Sequence, residues 1–85
     1  MYSILTAYRR SHIFITGGLK NGVLATVEVY SVDRDQWRPC ANLNIGRKFH
    51  SSCILGEKIY VSGGDLEDSI EVADCFKLIN GSAKW

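Results

Sequence analysis

Short runs of apolar or alternating residues, separated by glycine and polar residues, recur along the whole 85-residue chain. The segment TVEVYSV alternates Val27 and Val29 with Glu28 and Tyr30, as expected of a strand with one buried face. The segment KIYVSGG is a short apolar run that ends in two glycines. No segment sustains an apolar period near 3.6 residues, so the pattern predicts an all-β chain with almost no helix.

The chain repeats itself, and the two glycine pairs give the offset of the repeat as 63 − 17 = 46 residues. This offset aligns the run 13–15 with the run 59–61, and Glu28 with Asp74. The tryptophan of the first copy falls two residues short of that of the second, so an insertion of two residues is predicted near Asn80 and Gly81. The structural motif positions are Gly17, Gly18, Tyr30 and Trp37 in the first copy, and Gly63, Gly64, Phe76 and Trp85 in the second.

Each copy contains the signals of four short antiparallel strands, A to D. The predicted strands cover residues 3–8, 12–16, 25–31 and 36–39 in the first copy, and 49–55, 58–62, 70–78 and 83–85 in the second. The paired glycines end strand B, where the backbone must leave the sheet with positive φ. Such a sheet has apolar residues on both faces and must be covered by a neighbour, so we predict two stacked blades, residues 1–42 and 43–85.

Composition and charge indicate an ordinary globular protein, with 46% hydrophobic residues and a formal net charge of +1. They predict no nucleic-acid partner and no membrane partner. Three widely spaced cysteines favour reduced thiols in a cytoplasmic protein over a disulfide framework. His50 and Cys53 form the one close pair of zinc-ligand types, without an accompanying CxxC, so we expect no metal, no cofactor and no catalytic site.

The order of strand, Gly-Gly, Glu-x-Tyr and Trp resembles the kelch repeat. The segment NLNIGRKFHSSCILGEKIYVSGG is similar to the junction of two kelch repeats, with Leu43 where methionine is common and Arg47 at the usual arginine. The sequence departs from the family pattern at Ser31-Val32, where Asp-Pro is common, at Phe76, and at Met1, which takes the arginine position of the first copy. The resemblance implies two blades of a β-propeller, an incomplete ring.

A kelch propeller usually has about six blades, and repeat units are stabilised mainly by their neighbours. We therefore expect the chain to be a fragment, a truncated product or one part of an assembly, with further blades in cis or in trans. Because the outer face of each sheet is uncovered, the isolated chain is expected to associate or to be partly unfolded.

The resemblance implies a non-catalytic module for protein–protein interaction, similar to the part of the BTB-kelch proteins that recognises substrates for cullin-type ubiquitin ligases. Two alternatives stay open: an actin-binding or cytoskeletal kelch protein, and a truncated competitor of a longer kelch protein. A fragment of a kelch-type copper oxidase is the weakest alternative, because the sequence offers no convergent set of histidine and tyrosine ligands.

In similar propellers the loops that join strand B to C and strand D to A line one mouth of the ring. On this basis the predicted protein-binding residues are Lys20, Asn21, Asn44, Arg47, Asp65, Glu67 and Asp68. Two roles are open for Arg47. Its guanidinium could pair with a carboxylate of an acidic peptide, or it could hold the blade junction by bonding backbone carbonyls.

Overall fold

The computed structural model describes residues 3–64 and 69–85 of the chain. Within these residues, seven strands are followed by one short helix. In chain order the elements are β1 (Ile4–Tyr8), β2 (His12–Thr16), β3 (Val27–Ser31), β4 (Gln36–Cys40), β5 (Ser51–Leu55), β6 (Lys58–Ser62), β7 (Ile70–Asp74) and α1 (Cys75–Ile79). The chain is thus nearly all-β, as its sequence pattern predicts.

The strands form two antiparallel sheets in which sequence neighbours are also neighbours in space. The first sheet has the order β1-β2-β3-β4 and the second the order β5-β6-β7. The sheets stay separate and do not close into a ring, which agrees with blades of an incomplete propeller.

The two sheets are stacked, and a single hydrophobic core lies between them. The first sheet contributes Phe14 and Val29 to this core, and the second contributes Ile59, Val61 and Ala73. Strands β1 and β5 lie side by side. Two hydrogen bonds connect the sheets here, one between the hydroxyls of Thr6 and Ser52 and one from the Tyr8 hydroxyl to the carboxylate of Glu57 in the β5–β6 turn. Each sheet therefore covers one face of the other and leaves its second face open.

The second sheet differs from the prediction after β7, because the chain turns into a short helix where a longer strand C was expected. The Asp74 side chain caps this helix by accepting a hydrogen bond from the backbone N–H of Lys77 at 3.0 Å. Cys75 and Leu78 lie on its buried face. Capping and burial together explain why a single helical turn forms here, so the predicted strand over residues 70–78 is too long.

Residues 83–85 form no strand, so the fourth strand predicted for the second copy was also wrong. Trp85 nevertheless packs against the core, and its indole Nε1–H donates to the Ala41 carbonyl at 2.8 Å. The tryptophan thus fastens the end of the second copy to the connection between the sheets without strand pairing.

A single offset does not describe the repeat, because strand C is displaced relative to strand B. Phe14 pairs with Val29 in the first sheet, and Tyr60 pairs with Val72 in the second. The offset is therefore 60 − 14 = 46 for strand B and 72 − 29 = 43 for strand C. The cause is the B–C connection, which has 27 − 16 − 1 = 10 residues in the first copy and 70 − 62 − 1 = 7 in the second.

The offset of 43 changes which residues correspond on strand C. Glu28 corresponds to Glu71 rather than to Asp74, and Tyr30 corresponds to Ala73 rather than to Phe76. Phe76 lies in α1 with an exposed side chain, so its assignment as the second aromatic of the repeat is corrected. The Tyr30 and Trp37 rings lie 4.9 Å apart between centroids and are tilted by 45°. Trp37 is 50% exposed, so this motif aromatic does not lie in the core between the sheets.

Gly17, at the end of β2, occupies a position that only glycine fits. Its φ is +60°, and a Cβ at this position would lie 2.5 Å from the carbonyl oxygen of Arg47. The neighbouring Gly18 donates its N–H to that same carbonyl at 2.7 Å. A side chain would therefore push apart the strand and the connection that carries Arg47.

Candidate protein-binding surface

Three connections leave the sheets at one end, because alternate turns of an antiparallel sheet lie at the same end. They are β2–β3 (17–26), β4–β5 (41–50) and β6–β7 (63–69), and we call this end the loop end. The first two connections are bonded to each other, since the Arg47 N–H donates to the Leu24 carbonyl at 2.9 Å. The turns β1–β2, β3–β4 and β5–β6 lie at the opposite end.

Arg47 lies inside the loop end with only 1% of its surface exposed. Its Nη1 donates to the carbonyls of Gly63, at 2.9 Å, and Ser69, at 2.6 Å. Its Nη2 donates to the Ser69 hydroxyl at 2.9 Å and to the Glu71 carboxylate at 3.1 Å. The guanidinium thus bonds backbone carbonyls and joins the β4–β5 connection to both ends of the β6–β7 connection. We call this set of Arg47 contacts the clasp.

Glu71 is a functional residue that the sequence reasoning missed. Its carboxylate accepts from the backbone N–H groups of Asn44, at 2.6 Å, and Ile45, at 3.1 Å, in addition to Arg47. The charge is thus buried with full compensation, as a buried carboxylate requires. The recurrence of VEV at 27–29 as IEV at 70–72 was a signal that could have identified it.

His50 bonds the β4–β5 connection to the first sheet, because its Nε2 lies 2.9 Å from the Thr16 hydroxyl and both side chains are buried. Burial is the main cause that lowers the pKa of His50 below its usual 6.5. A hydrogen bond with the Thr16 backbone acts in the opposite direction, and the charge of Arg47 lowers the pKa further. Folding therefore favours the neutral form of this imidazole.

The predicted loop residues occupy different places. Lys20 and Asn21 are exposed at the tip of the β2–β3 connection. The Asn44 side chain is exposed and donates to the backbone carbonyl of Trp85 at 3.5 Å. The predicted acidic residues Asp65, Glu67 and Asp68 lie outside the described residues. A direct role in binding remains a prediction for each residue of this set.

Three exposed apolar side chains at the loop end were not predicted as binding residues. Val23 and Ile45 are each more than one third exposed, and Phe49 is 56% exposed. Val23 lies against Gly46, and the Lys48 ammonium lies 5.4 Å from the centroid of the Phe49 ring. We call Val23, Ile45 and Phe49 the apolar loop patch. Apolar residues within otherwise polar connections were the available signal for it.

The described residues hold no group of three or more histidine, cysteine, aspartate or glutamate side chains placed to bind a metal ion. Among the described residues, no helix is long and apolar enough to cross a membrane. Cys40, Cys53 and Cys75 are all unpaired thiols. Burial raises the pKa of the Cys75 thiol to about 11, so this cysteine acts as a core residue rather than a nucleophile.

Stacked antiparallel sheets, each with one open face and each built from the same repeated unit, define a repeat protein of the β-propeller class. The Kelch motif matches residues 6–44, which cover the first sheet from Thr6 onward and the start of the connection to the second. The chain belongs to the kelch-repeat family.

Two curated relatives show the same likeness. Kelch-like protein 38 from Danio rerio is 32% identical over 68 residues, a match that covers 76% of this chain and 11% of the relative. A putative F-box/kelch-repeat protein from Arabidopsis thaliana is 40% identical over 50 residues, which cover 59% of this chain and 17% of the relative. The chain thus spans less than one fifth of the length of either relative.

Proposed function

We propose that the chain is a non-catalytic, cytoplasmic protein-binding module that recognises substrates of cullin-type ubiquitin ligases through its loop end. Kelch repeats generally mediate protein–protein interaction, and both relatives carry kelch in their names. Three cysteines held as thiols suit the reducing cytoplasm.

The observation that carries the proposal is the apolar loop patch. Exposed aromatic and aliphatic side chains at one end of a domain are typical of the energetic centre of a protein–protein interface. Lys20 lies exposed in the same connection as Val23, and Lys48 lies beside Phe49, so cations flank the patch. The surface therefore fits a target segment that combines an apolar side chain with acidic neighbours.

In this proposal Arg47 and Glu71 position the surface and do not contact the target themselves. The Glu71 carboxylate holds the backbone at Asn44 and Ile45, and Arg47 holds Glu71. The exposed side chains of those two residues are thereby presented from a fixed backbone, which lowers the entropy lost on binding.

The test is affinity capture with the 85-residue chain and with a variant that carries Val23→Ser, Ile45→Ser and Phe49→Ser, followed by measurement of the half-lives of captured proteins in cells. Proteins that bind the unmodified chain but not the variant should be degraded more slowly when the chain is expressed, because it competes with longer kelch adaptors for them. Unchanged half-lives would contradict the ligase assignment, and cosedimentation with F-actin that the variant loses would favour the actin-binding alternative.

A further inference from the structure

The chain contains two Asn-Gly pairs, Asn21-Gly22 and Asn80-Gly81, and both are exposed in segments outside the strands. In such a pair the backbone nitrogen of the glycine can attack the side-chain amide of the asparagine, because glycine has no Cβ to hinder the approach. The same dipeptide at two places in one chain allows the effect of the surroundings to be compared directly. The two pairs differ in the hydrogen bonds that hold them.

The first pair lies at the tip of the β2–β3 connection and is weakly held. Asn21 has a φ of +56° and Gly22 a φ of +125°. Residues 20–23 are all exposed, and a Cβ on Gly22 would meet no atom within 4 Å. The Lys20 N–H closes the tip by donating to the Gly22 carbonyl at 3.0 Å. Of the residues that the structure describes, none is a hydrogen-bond partner of the Asn21 side chain or of the Gly22 N–H, so both reacting groups are unrestrained.

The second pair lies in the turn after α1 and is held by three hydrogen bonds. The side-chain oxygen of Asn80 accepts from the Ser82 N–H at 3.1 Å and from the Ser82 hydroxyl at 2.6 Å. The Gly81 N–H, which would be the attacking group, donates to the Leu78 carbonyl at 3.3 Å. The reaction at Asn80 therefore requires that the amide first leave Ser82 and that the glycine nitrogen first leave Leu78.

We propose that Asn21 is a modification site of the folded chain, at which the asparagine converts without an enzyme to aspartate and isoaspartate, and that Asn80 is protected from the same reaction. The Gly22 nitrogen loses its proton to solvent base and bonds to Cγ of Asn21, and the side-chain nitrogen leaves as ammonia after it takes up a proton from water. Water then opens the succinimide ring at either carbonyl. The sum is the uptake of water and the release of ammonia, with no change in oxidation state.

The modification changes both the charge and the backbone of the loop end. A carboxylate replaces a neutral amide beside Lys20, so the formal net charge falls from +1 to 1 − 1 = 0. In the isoaspartate product the main chain gains a methylene group within the tip that pairs Leu19 with Val23. Val23 belongs to the apolar loop patch, so the modification should weaken binding of an acidic target segment there. This consequence rests on the proposed function, whereas the reaction itself does not.

The test is incubation of the 85-residue chain in neutral buffer well below its melting temperature, followed by digestion with pepsin at acid pH and mass spectrometry of each asparagine over time. Conversion of Asn21 should be about tenfold faster than that of Asn80 or more, since the hydrogen bonds that hold Asn80 must break first. Asn42 and Asn44 are followed by leucine and isoleucine and should stay unchanged as internal controls. In urea that unfolds the chain, Asn21 and Asn80 should react at similar rates, because both have then lost their surroundings.

Ser82→Ala removes the hydroxyl that donates to the Asn80 side chain, and should accelerate conversion of Asn80 by about two- to tenfold without affecting Asn21. Ser51→Ala changes an exposed serine of β5 and should alter neither rate. Equal conversion of Asn21 and Asn80 in the folded chain would overturn the proposal, as would an unchanged Asn21 over a period in which it reacts in urea. These measurements need no target protein, so failure of the modification is distinguishable from failure of the proposed function.

Discussion

Strands β2 and β6 carry corresponding sequences but bury opposite faces. Ile59 and Val61 of β6 are 0% exposed, whereas their counterparts Ile13 and Ile15 of β2 are half-buried. The next position shows the reverse, because Phe14 is buried in the core and its counterpart Tyr60 is partly exposed. Burial of a given repeat position is thus set by which neighbour covers that face, and not by the residue type alone.

Strand C follows the same rule. Val29 of β3 is 3% exposed, and its counterpart Val72 of β7 is 40% exposed. The open face of the second sheet thus carries Tyr60 and Val72 at the positions that Phe14 and Val29 occupy on the covered face of the first sheet. The open face of the first sheet carries Ile13 and Ile15 at the positions that Ile59 and Val61 occupy on the covered face of the second. Each open face therefore resembles one side of the junction between the two sheets, as expected of units in a repeat protein.

The clasp is the feature that the two copies do not share. Glu71 bonds with Arg47, whereas its counterpart Glu28 is exposed. At the offset of 46 the counterpart of Arg47 is residue 47 − 46 = 1, which lies outside the described residues. Substitutions at covered and open positions should therefore have unequal effects, and the junction residues should matter most.

The largest effect is expected for Arg47→Ala. Removal of the guanidinium leaves the Glu71 carboxylate buried beside two carbonyls without their donor, and breaking a buried ion pair in this way costs about 3–5 kcal/mol. Urea denaturation of the chain should show this loss. Arg47→Lys keeps the charge but not the two donor groups, so its loss should be intermediate.

Arg10→Ala removes an exposed arginine and is the matched control, for which we expect a change within about 0.5 kcal/mol. An Arg47→Ala chain that unfolds at the same urea concentration as this control would show that the clasp contributes little. Loss of target binding without loss of stability would instead restore the direct binding role predicted for Arg47.

The second prediction compares equivalent isoleucines on the covered and the open face. Ile59→Ala should cost about 2–5 kcal/mol, because it leaves a cavity in the core. Ile13→Ala should cost clearly less, since its side chain is only half-buried in this chain. Both free energies are measured by urea denaturation, and equal losses would show that the open face is covered in solution, for example by a second copy.

The repeated strands could be predicted from sequence because their signals are local. Seven of the eight predicted strands are present, and the glycine pair at residues 17 and 18 ends β2 as expected. The alternation of apolar and polar residues and the turn glycines contain that information.

The helix and the displaced strand C could not be predicted in this way, because they depend on tertiary contacts. The five residues of α1 have no helical period of their own, and the helix forms through the Asp74 cap and burial of Cys75 and Leu78. A fixed offset placed Tyr30 over Phe76, since the shorter β6–β7 connection was not considered. For the same reason Glu71 was missed, although its partner Arg47 was identified.

The smallest effect is expected from His50, which is present at the junction of the sheets and bonds with Thr16 there. Because burial lowers the pKa of His50 in the folded chain, the unfolded chain binds a proton more readily. The free energy of unfolding is thus not reduced by His50 above the pKa of about 6.5 that histidine has in the unfolded chain, and it falls progressively as the pH drops below this value. The melting temperature should therefore fall as the pH is lowered from about 7.5 to about 5.

His50→Gln removes the titrating group and keeps a polar side chain near Thr16, so its melting temperature should depend less on pH over this interval. His12→Gln is the matched control, because His12 lies at the start of β2, bonds with the Ser11 hydroxyl and is outside the junction. It should keep the full pH dependence of the unmodified chain. A pH dependence that persists in His50→Gln but disappears in His12→Gln would assign the proton uptake to His12. The pH dependence of stability would then not come from burial of the His50 imidazole.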